Sequence, residues 1–258
     1  MFIDSHCHLD KLDLATYGDD FSAMVHAATE RQISKMLCVS ISLSAFESMY
    51  QIIRDWPQIF ASVGVHPLHT DEGEVSRQQL LELSQRDRIV AIGETGLDYY
   101  YQQDTQALQQ ANFATHLEVA AEVGLPVIVH TRDAREDTIN LIRQHGSRDS
   151  GGVLHCFTES LEMARAAMDE NYLISFSGII TFRNAAELRE VVKAVPLESM
   201  LIETDSPYLA PVPYRGKSNE PKYVVEVAQC IAEIKGVPVE QVAEVTTANF
   251  HRLFSRVT

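Results

Sequence analysis

Histidine and carboxylate side chains stand in this sequence where short apolar runs end, a placement that favours metal chemistry. The residues concerned are His6, His8, His66, Glu94, His130, His155 and Asp205. Side chains alternate along a strand, so His6 and His8 point to the same side of theirs. Glu203 and Asp205 share a side for the same reason. Five of the ten histidines fall at these ends, and chance placement does not produce such a concentration.

The number of these side chains indicates more than one metal ion. A tetrahedral zinc site uses four protein ligands when structural, and three with a water when catalytic. Even with His66 set aside, four imidazoles and two carboxylates exceed that number. They suit two divalent ions roughly 3.5–4 Å apart, which stabilise the attacking and leaving oxygens in phosphoester hydrolysis. Imidazole-rich ligation suits Zn, Mn, Fe or Ni, whereas Mg prefers oxygen ligands and retained water.

Eight apolar runs must bring these side chains together. They span residues 2–8, 35–41, 60–66, 89–94, 126–130, 153–157, 173–179 and 200–205. The stretches between them show helical spacing of apolar residues; the one before the fifth run stops at Gly124. Eight strands alternating with helices predict an α/β fold, a (β/α)8 TIM barrel, whose strand ends converge on one mouth. An open doubly wound sheet is the alternative, but it needs no eighth strand.

Composition and charge limit the class of protein. Hydrophobic residues make up 45% of the 258 residues, and no Gly-, Ser- or Pro-rich linker divides them, so we expect one barrel domain over 1–258. The formal net charge is −15. Proteins that coat long duplex DNA present a basic face, since phosphate neutralisation supplies most non-specific affinity. A phosphate substrate would therefore be held locally, by cations and a few basic groups.

The cysteines and the N-terminus bear on the compartment. Four cysteines without a C-x-x-C pair argue against a disulfide framework or a zinc ribbon, and fit a reducing compartment. The first residues lack the features of a signal peptide, and no apolar run approaches the ~20 residues that cross a bilayer. We expect a cytoplasmic protein that binds no membrane. No obligate protein partner is evident.

Several motifs resemble those of the TatD-related deoxyribonuclease family, within the amidohydrolase-like metal-dependent hydrolases. They are DSHCHLD (4–10), GVHP (64–67), GETGLDYYY (93–101), PVIVHTRDA (126–134), GGVLHCF (151–157), FSGIITFRNA (176–185) and ETDSPYLAP (203–211). They run from end to end of the chain and are specific as a set. The likeness is greatest to the uncharacterised bacterial housekeeping members of the family.

The resemblance implies a two-ion site and roles for its residues. One ion would be held by His6, His8, Glu94 and Asp205, the other by His130, His155 and the shared Glu94. The family leans to Mg or Mn, with Zn also suited by the imidazoles. A water activated by the metal pair would give its proton to Asp205. His66 lies where the family contacts the substrate phosphate or protonates the leaving group.

Basic and aromatic side chains near the strand ends are candidates for substrate contact. Arg132 and Arg215 follow predicted strands, where they would meet phosphate together with His66. The tyrosines at 99–101 could stack a base, but packing within their loop is the expectation.

Three functions are compatible with these residues. The first is a deoxyribonuclease that cleaves phosphodiester bonds at a single-stranded or frayed DNA end. The second is hydrolysis of an amide, ester or lactone bond of a small molecule by the same two-metal site. The third is a non-catalytic metal-bound binding protein, which would have a closed ligand shell.

Overall fold

Eight parallel strands form one sheet in the computed structural model, which describes residues 1–257. The strands are β1 (Phe2–Cys7), β2 (Ile33–Cys38), β3 (Ile59–Val63), β4 (Ile89–Asp98), β5 (Val127–Arg132), β6 (Gly152–Leu154), β7 (Tyr172–Phe176) and β8 (Met200–Ile202). They pair in sequence order from β1 to β8. The sheet closes where β1 meets the segment after β8, since Cys7 bridges Ser206 and Asp205 N donates to the His6 carbonyl at 2.9 Å. The predicted TIM barrel is confirmed.

Helices cover the outside of this barrel. They are α1 (Phe21–Glu30), α2 (Phe46–Ile53), α3 (Arg77–Ser84), α4 (Gln106–Val123), α5 (Arg135–His145), α6 (Leu161–Asp169), α7 (Ala186–Ala194), α8 (Val224–Lys235) and α9 (Val239–Leu253). As the sequence predicts, α4 ends at Gly124, which adopts a left-handed φ of 67°. Within residues 1–257, no helix combines the length and the apolar character needed to cross a membrane.

One apolar residue from each strand fills the barrel interior. These are Ile3, Leu37, Phe60, Val90, Ile128, Val153, Leu173 and Leu201. Phe250 and Phe254, at the end of α9, pack on this layer together with Val257. Because the outer strand faces pack on helices as well, the strands are apolar on both sides, as buried parallel strands are. The opposite, carboxyl end of the barrel is left for polar side chains.

A bulge in β4 directs Glu94 toward the barrel axis. Positions 92–95 of β4 lie opposite positions 127–129 of β5, so β4 has one extra residue there. Bulges bend a strand locally and re-aim side chains beside active sites. Gly96 makes the close approach of the two strands possible, because a Cβ at this position would lie 2.0 Å from the His130 carbonyl oxygen. The local sequence GETG therefore supplies the backbone that Glu94 needs.

Asp4 connects β1 to the segment after β8. Its carboxylate accepts hydrogen bonds from the backbone N–H of Thr204 at 2.9 Å and from the Thr204 hydroxyl at 2.6 Å, with no side-chain exposure. Burial raises the pKa of Asp4 to about 8, although the bonds from Thr204 oppose that shift. The pairing of β1 with β2 changes register between Asp4 and Cys7, the stretch that contains His6. Asp4 thus holds together the two chain segments that supply His6 and Asp205.

Replacing Asp4 by Ala should destabilise the protein by about 2–4 kcal/mol, because a buried N–H and a buried hydroxyl lose their acceptor. Urea unfolding monitored by circular dichroism measures this change. Asp13→Ala is the matched control; Asp13 is exposed and accepts one local bond from Ala15, so its loss should cost at most about 0.5 kcal/mol. Equal unfolding free energies for the two variants would contradict the role given to Asp4.

Candidate metal centre

Glu94 lies at the centre of a ring of histidines at the carboxyl end of the barrel. The residue is 2% exposed. Its Oε1 atom lies 2.7 Å from Nε2 of His155, 3.3 Å from Nε2 of His66 and 3.4 Å from Nδ1 of His130. Burial acts to raise the pKa of the Glu94 carboxyl, but the surrounding imidazoles bring it well below its ordinary value. One oxygen of a single ionised carboxylate therefore faces three imidazoles.

The other oxygen of Glu94 faces a second group of side chains. Its Oε2 atom lies 3.3 Å from Nε2 of His6 and 3.9 Å from Nε2 of His8. Oδ1 of Asp205 lies 3.8 Å and 3.4 Å from the same two nitrogens. Burial acts to raise the pKa of Asp205, yet its bond with His8 and the charge of His6 lower it overall. As the alternation predicts, His6 and His8 point to the same side, with their Nε2 atoms 3.3 Å apart.

All the predicted ligand side chains thus meet in one cluster. Within two sets of side chains, all the possible ligand atoms lie within 4.8 Å of one another. The set of His6, His8 and Asp205 lies on the Oε2 side of Glu94, and the set of His66, Glu94 and His130 lies on the Oε1 side. A third such set joins His6 and His155 to Glu203, which was not among the predicted ligands. Each oxygen of Glu94 therefore faces its own group of donors, as a bridging carboxylate would.

The second ring nitrogen of three of these histidines faces an oxygen acceptor. The pairs are Nδ1 of His8 with the Val39 carbonyl (3.1 Å), Nε2 of His130 with Asp98 (3.1 Å) and Nδ1 of His155 with Glu203 (3.3 Å). Such a partner keeps the ring proton on the outer nitrogen, which leaves a lone pair on the nitrogen that points into the cluster. This is the tautomer that a cation requires.

Buried atoms without a hydrogen bond point to the same conclusion. Among residues 1–257, Nε2 of His155 is buried and has no hydrogen-bond partner, although it lies 2.7 Å from Oε1 of Glu94. A contact this short is favourable when the His155 ring is protonated or when both atoms face a cation. Nδ1 of His6 is also buried without a partner. The donor set, its tautomers and these unpaired atoms fit divalent cations.

His66 differs from the other histidines of the cluster. Its Nδ1 atom accepts a hydrogen bond from the backbone N–H of Leu68 at 3.1 Å. The ring proton must then be on Nε2, the atom that faces Glu94. Burial lowers the pKa of His66 to about 4, so the ring is neutral at neutral pH. His116 supports this loop by accepting a bond from Val65 N–H at 3.0 Å. His66 therefore presents a donor N–H to the cluster rather than a lone pair.

Two carboxylates of the site were not among the sequence predictions. Glu203 is fully buried, and its Oε1 atom accepts a bond from the Cys156 N–H at 2.6 Å besides facing His155. Alternation placed it on the side of Asp205, a signal that could have identified it. Asp98 faces His130, four residues past the predicted end of the fourth run. It was missed because β4 extends to Asp98 rather than ending at Glu94.

Both predicted substrate-binding arginines lie over aromatic rings, and these rings belong to loops at the mouth. The guanidinium of Arg132 is 4.1 Å from the ring centre of Tyr100 and 4.7 Å from that of Tyr101. Arg215 lies 3.7 Å from the ring centre of Phe182. All three distances are within the range of cation–π contacts. The arginines are therefore held in place before any ligand binds.

The three neighbouring tyrosines pack to different extents: Tyr99 is partly buried, whereas Tyr100 and Tyr101 contact each other and Arg132 but remain exposed. Tyr99 is partly buried, and its hydroxyl donates to Asp137 at 2.7 Å. Tyr100 and Tyr101 are 54% and 61% exposed. Packing needs apolar neighbours, and the position of these two rings at the outer edge of the mouth leaves much of each ring in solvent.

A (β/α)8 barrel with a buried cluster of histidines and carboxylates at the carboxyl ends of its strands defines a metal-dependent hydrolase. The family model of the TatD related DNases matches residues 3–255. The chain belongs to this family, and the resemblance seen in the sequence motifs is confirmed.

Individual relatives agree with this assignment. The chain is 47% identical to the uncharacterised metal-dependent hydrolase YcfH of Escherichia coli K12, over 98% of this chain and 95% of that protein. It is 32% identical to the 3'-5' ssDNA/RNA exonuclease TatD of Escherichia fergusonii, over 94% and 96%. The crystal structure of YJJV, a TatD homolog from E. coli K12, has a TM-score of 0.91 at 28% identity and covers 98% of both chains.

Proposed function

We propose that this protein hydrolyses phosphodiester bonds at the end of a single-stranded or frayed DNA strand, with two divalent cations at the Glu94 cluster. The observation that carries the proposal is that the two oxygens of Glu94 face two separate donor groups. One ion would be held by His6, His8, Glu94 and Asp205, the other by His130, His155 and Glu94. Mg, Mn and Zn are the candidate ions.

The residues of the cluster divide the chemistry among them. When bound, divalent cations lower the pKa of water and neutralise charge that develops on a phosphate. Asp205, ionised and 9% exposed, is placed to accept a proton from an attacking water. His66 presents its Nε2–H and is placed to donate a hydrogen bond to a phosphate or leaving oxygen. Glu94 supplies the negative charge that both donor groups share.

A strand end is favoured over the middle of a long duplex. The chain carries a net charge of −15, so its affinity for a phosphate backbone must come from the mouth alone. Arg132 and Arg215 supply positive charge there. The exonuclease TatD of E. fergusonii, at 32% identity, supports nucleic acid as the substrate class.

The test compares linear and circular single-stranded DNA with protein reconstituted in Mn²⁺, Mg²⁺ or Zn²⁺. We expect stepwise shortening of the linear strand and no cleavage of the circle. The logarithm of the binding constant should fall with the logarithm of salt concentration with a slope of about −1.4 to −2.1, from two or three phosphates at ~0.7 each. Rapid nicking of the circle would contradict strand-end cleavage. Turnover of a small ester or amide, with no DNA cleavage in any metal, would overturn the proposal.

Replacing His66 by Ala should lower kcat on the linear strand by about 10²–10³-fold, the usual cost of losing one hydrogen-bond donor to an oxygen that gains charge in the transition state. Metal content should be unchanged, because the Nε2–H of His66 offers no lone pair to a cation. Elemental analysis and strand-cleavage kinetics measure the two effects. His69→Ala, three residues away and with a side chain 37% exposed, should leave both unchanged. A loss of metal in the His66 variant would make His66 a ligand instead.

A further inference from the structure

Exposed apolar side chains are concentrated around the mouth of the barrel. Among residues 1–257, six large apolar or aromatic side chains are exposed, and four of them follow β4 or β8; these four are Tyr100, Tyr101, Tyr208 and Val212. Isolated exposed apolar residues are ordinary, but a group beside a polar site marks a surface for ligand binding. Of these four side chains, Tyr100 and Tyr101 also contact an arginine, Arg132.

Tyr100 and Tyr101 form a preassembled pair with Arg132. The two rings meet edge to face, with their centres 4.8 Å apart and their planes at 89°. The Arg132 guanidinium lies over both rings, at 4.1 Å and 4.7 Å from their centres. About half or more of each side chain is still in solvent. The rings therefore offer free aromatic surface next to a fixed positive charge.

Asp98 connects this pair to the metal centre. Its Oδ1 atom accepts bonds from the backbone N–H groups of Tyr100 at 3.0 Å and Tyr101 at 2.9 Å. Its Oδ2 atom faces Nε2 of His130 at 3.1 Å. A single buried carboxylate thus orients a histidine of the cluster and shapes the turn that carries both tyrosines.

The strand register fixes the position of the pair relative to the cluster. Asp98 pairs with Arg132, and Gly96 pairs with His130. One residue, Thr131, separates His130 from Arg132 on β5, so their side chains leave the same face about 7 Å apart along the strand. Tyr100 and Tyr101 follow Asp98 after one intervening residue, Tyr99. A ligand that reaches the metal centre through the mouth therefore passes this surface.

We propose that Tyr100 and Tyr101, with Arg132, form a stacking platform for a nucleobase of the strand whose end lies at the metal centre. This inference rests on the proposed function, because it assigns the bound group to a nucleic acid. Aromatic stacking contributes about 5- to 150-fold in affinity per base and tolerates every base. An acidic chain with little general attraction for phosphate has particular need of such a contact. Arg132 supplies one charge for the neighbouring phosphate.

The test uses Mn²⁺-loaded protein and two oligothymidylate strands, one intact and one with abasic nucleotides at its three terminal positions. Wild-type protein should cleave the intact strand with a kcat/KM about tenfold higher. The double variant Tyr100→Ala, Tyr101→Ala should cleave both strands at the rate of the abasic one. Tyr50→Ala is the matched control, since Tyr50 on α2 also has an arginine over its ring, Arg86 at 5.2 Å. This control should keep the tenfold preference.

A second measurement needs no cleavage. With EDTA present, 2-aminopurine placed near the strand end should be quenched by wild-type protein and by the Tyr50 variant, but not by the double variant. Quenching without cleavage in any metal would leave the platform standing and refute the proposed function. A double variant that keeps the preference for the intact strand would overturn the platform while strand cleavage stands. If the wild-type protein showed neither quenching nor a preference for the intact strand, the stacking platform would be overturned as well.

Discussion

Replacing Glu94 by Gln should reduce kcat by about 10³-fold or more. The amide keeps the shape of the side chain but removes the charge that two donor groups share, and the loss of several kcal/mol of cation and transition-state stabilisation corresponds to this factor. His130→Ala should cost less, because His130 faces only Oε1 of Glu94. Strand-cleavage kinetics at saturating metal compare the two variants directly.

The metal content of the Glu94→Gln and His130→Ala variants should also differ. Glu94→Gln should weaken binding at both donor groups, whereas His130→Ala should weaken binding at one. Elemental analysis after gel filtration in metal-free buffer measures this difference. Near wild-type turnover by Glu94→Gln would mean that Glu94 is a structural residue and that the bridge does not exist.

The double variant His6→Ala, His8→Ala should lose one bound ion per chain and reduce activity by about 10³-fold or more, since it removes two neutral nitrogen donors from one side of Glu94. The fold should persist, because the apolar layer of the barrel lies below the site and contains neither histidine. Elemental analysis and circular dichroism measure the two quantities.

His26→Ala, His251→Ala is the matched control for this pair. Both residues are exposed on helices, so metal content and activity should be unchanged. Unaltered metal content in the His6, His8 variant would refute the assignment of these residues as ligands. A loss of secondary structure in that variant alone would show instead that the two rings support the barrel.

The sequence was sufficient for the barrel and for most of the residues that meet in it, although Glu203 and Asp98 were missed. Apolar runs mark buried strands, and polar residues at their ends converge once the strands are parallel. The positions of His6, His8, Glu94 and Asp205 follow from these two facts. The ends of the strands were predicted less accurately. β3 ends at Val63, three residues before His66, and the loop after β3 brings His66 to the cluster.

Other features of the site depend on contacts that the sequence pattern does not reveal. Whether His66 presents a proton or a lone pair is decided by its bond with the Leu68 N–H. The aim of Glu94 depends on an extra residue in β4 relative to β5, and a register cannot be read from one strand alone. Tyr100 and Tyr101 illustrate a third case, since exposure depends on the shape of the loop rather than on residue type.

The closure of the barrel places its first and last strands side by side, and this has a consequence for the order of synthesis. During synthesis, Asp205, whose N–H bonds to the His6 carbonyl, follows His6 almost two hundred residues later. A nascent chain that has not reached Asp205 holds only part of the centre. The centre is therefore completed only after synthesis has passed Asp205, and a chain truncated before that residue lacks part of the cluster.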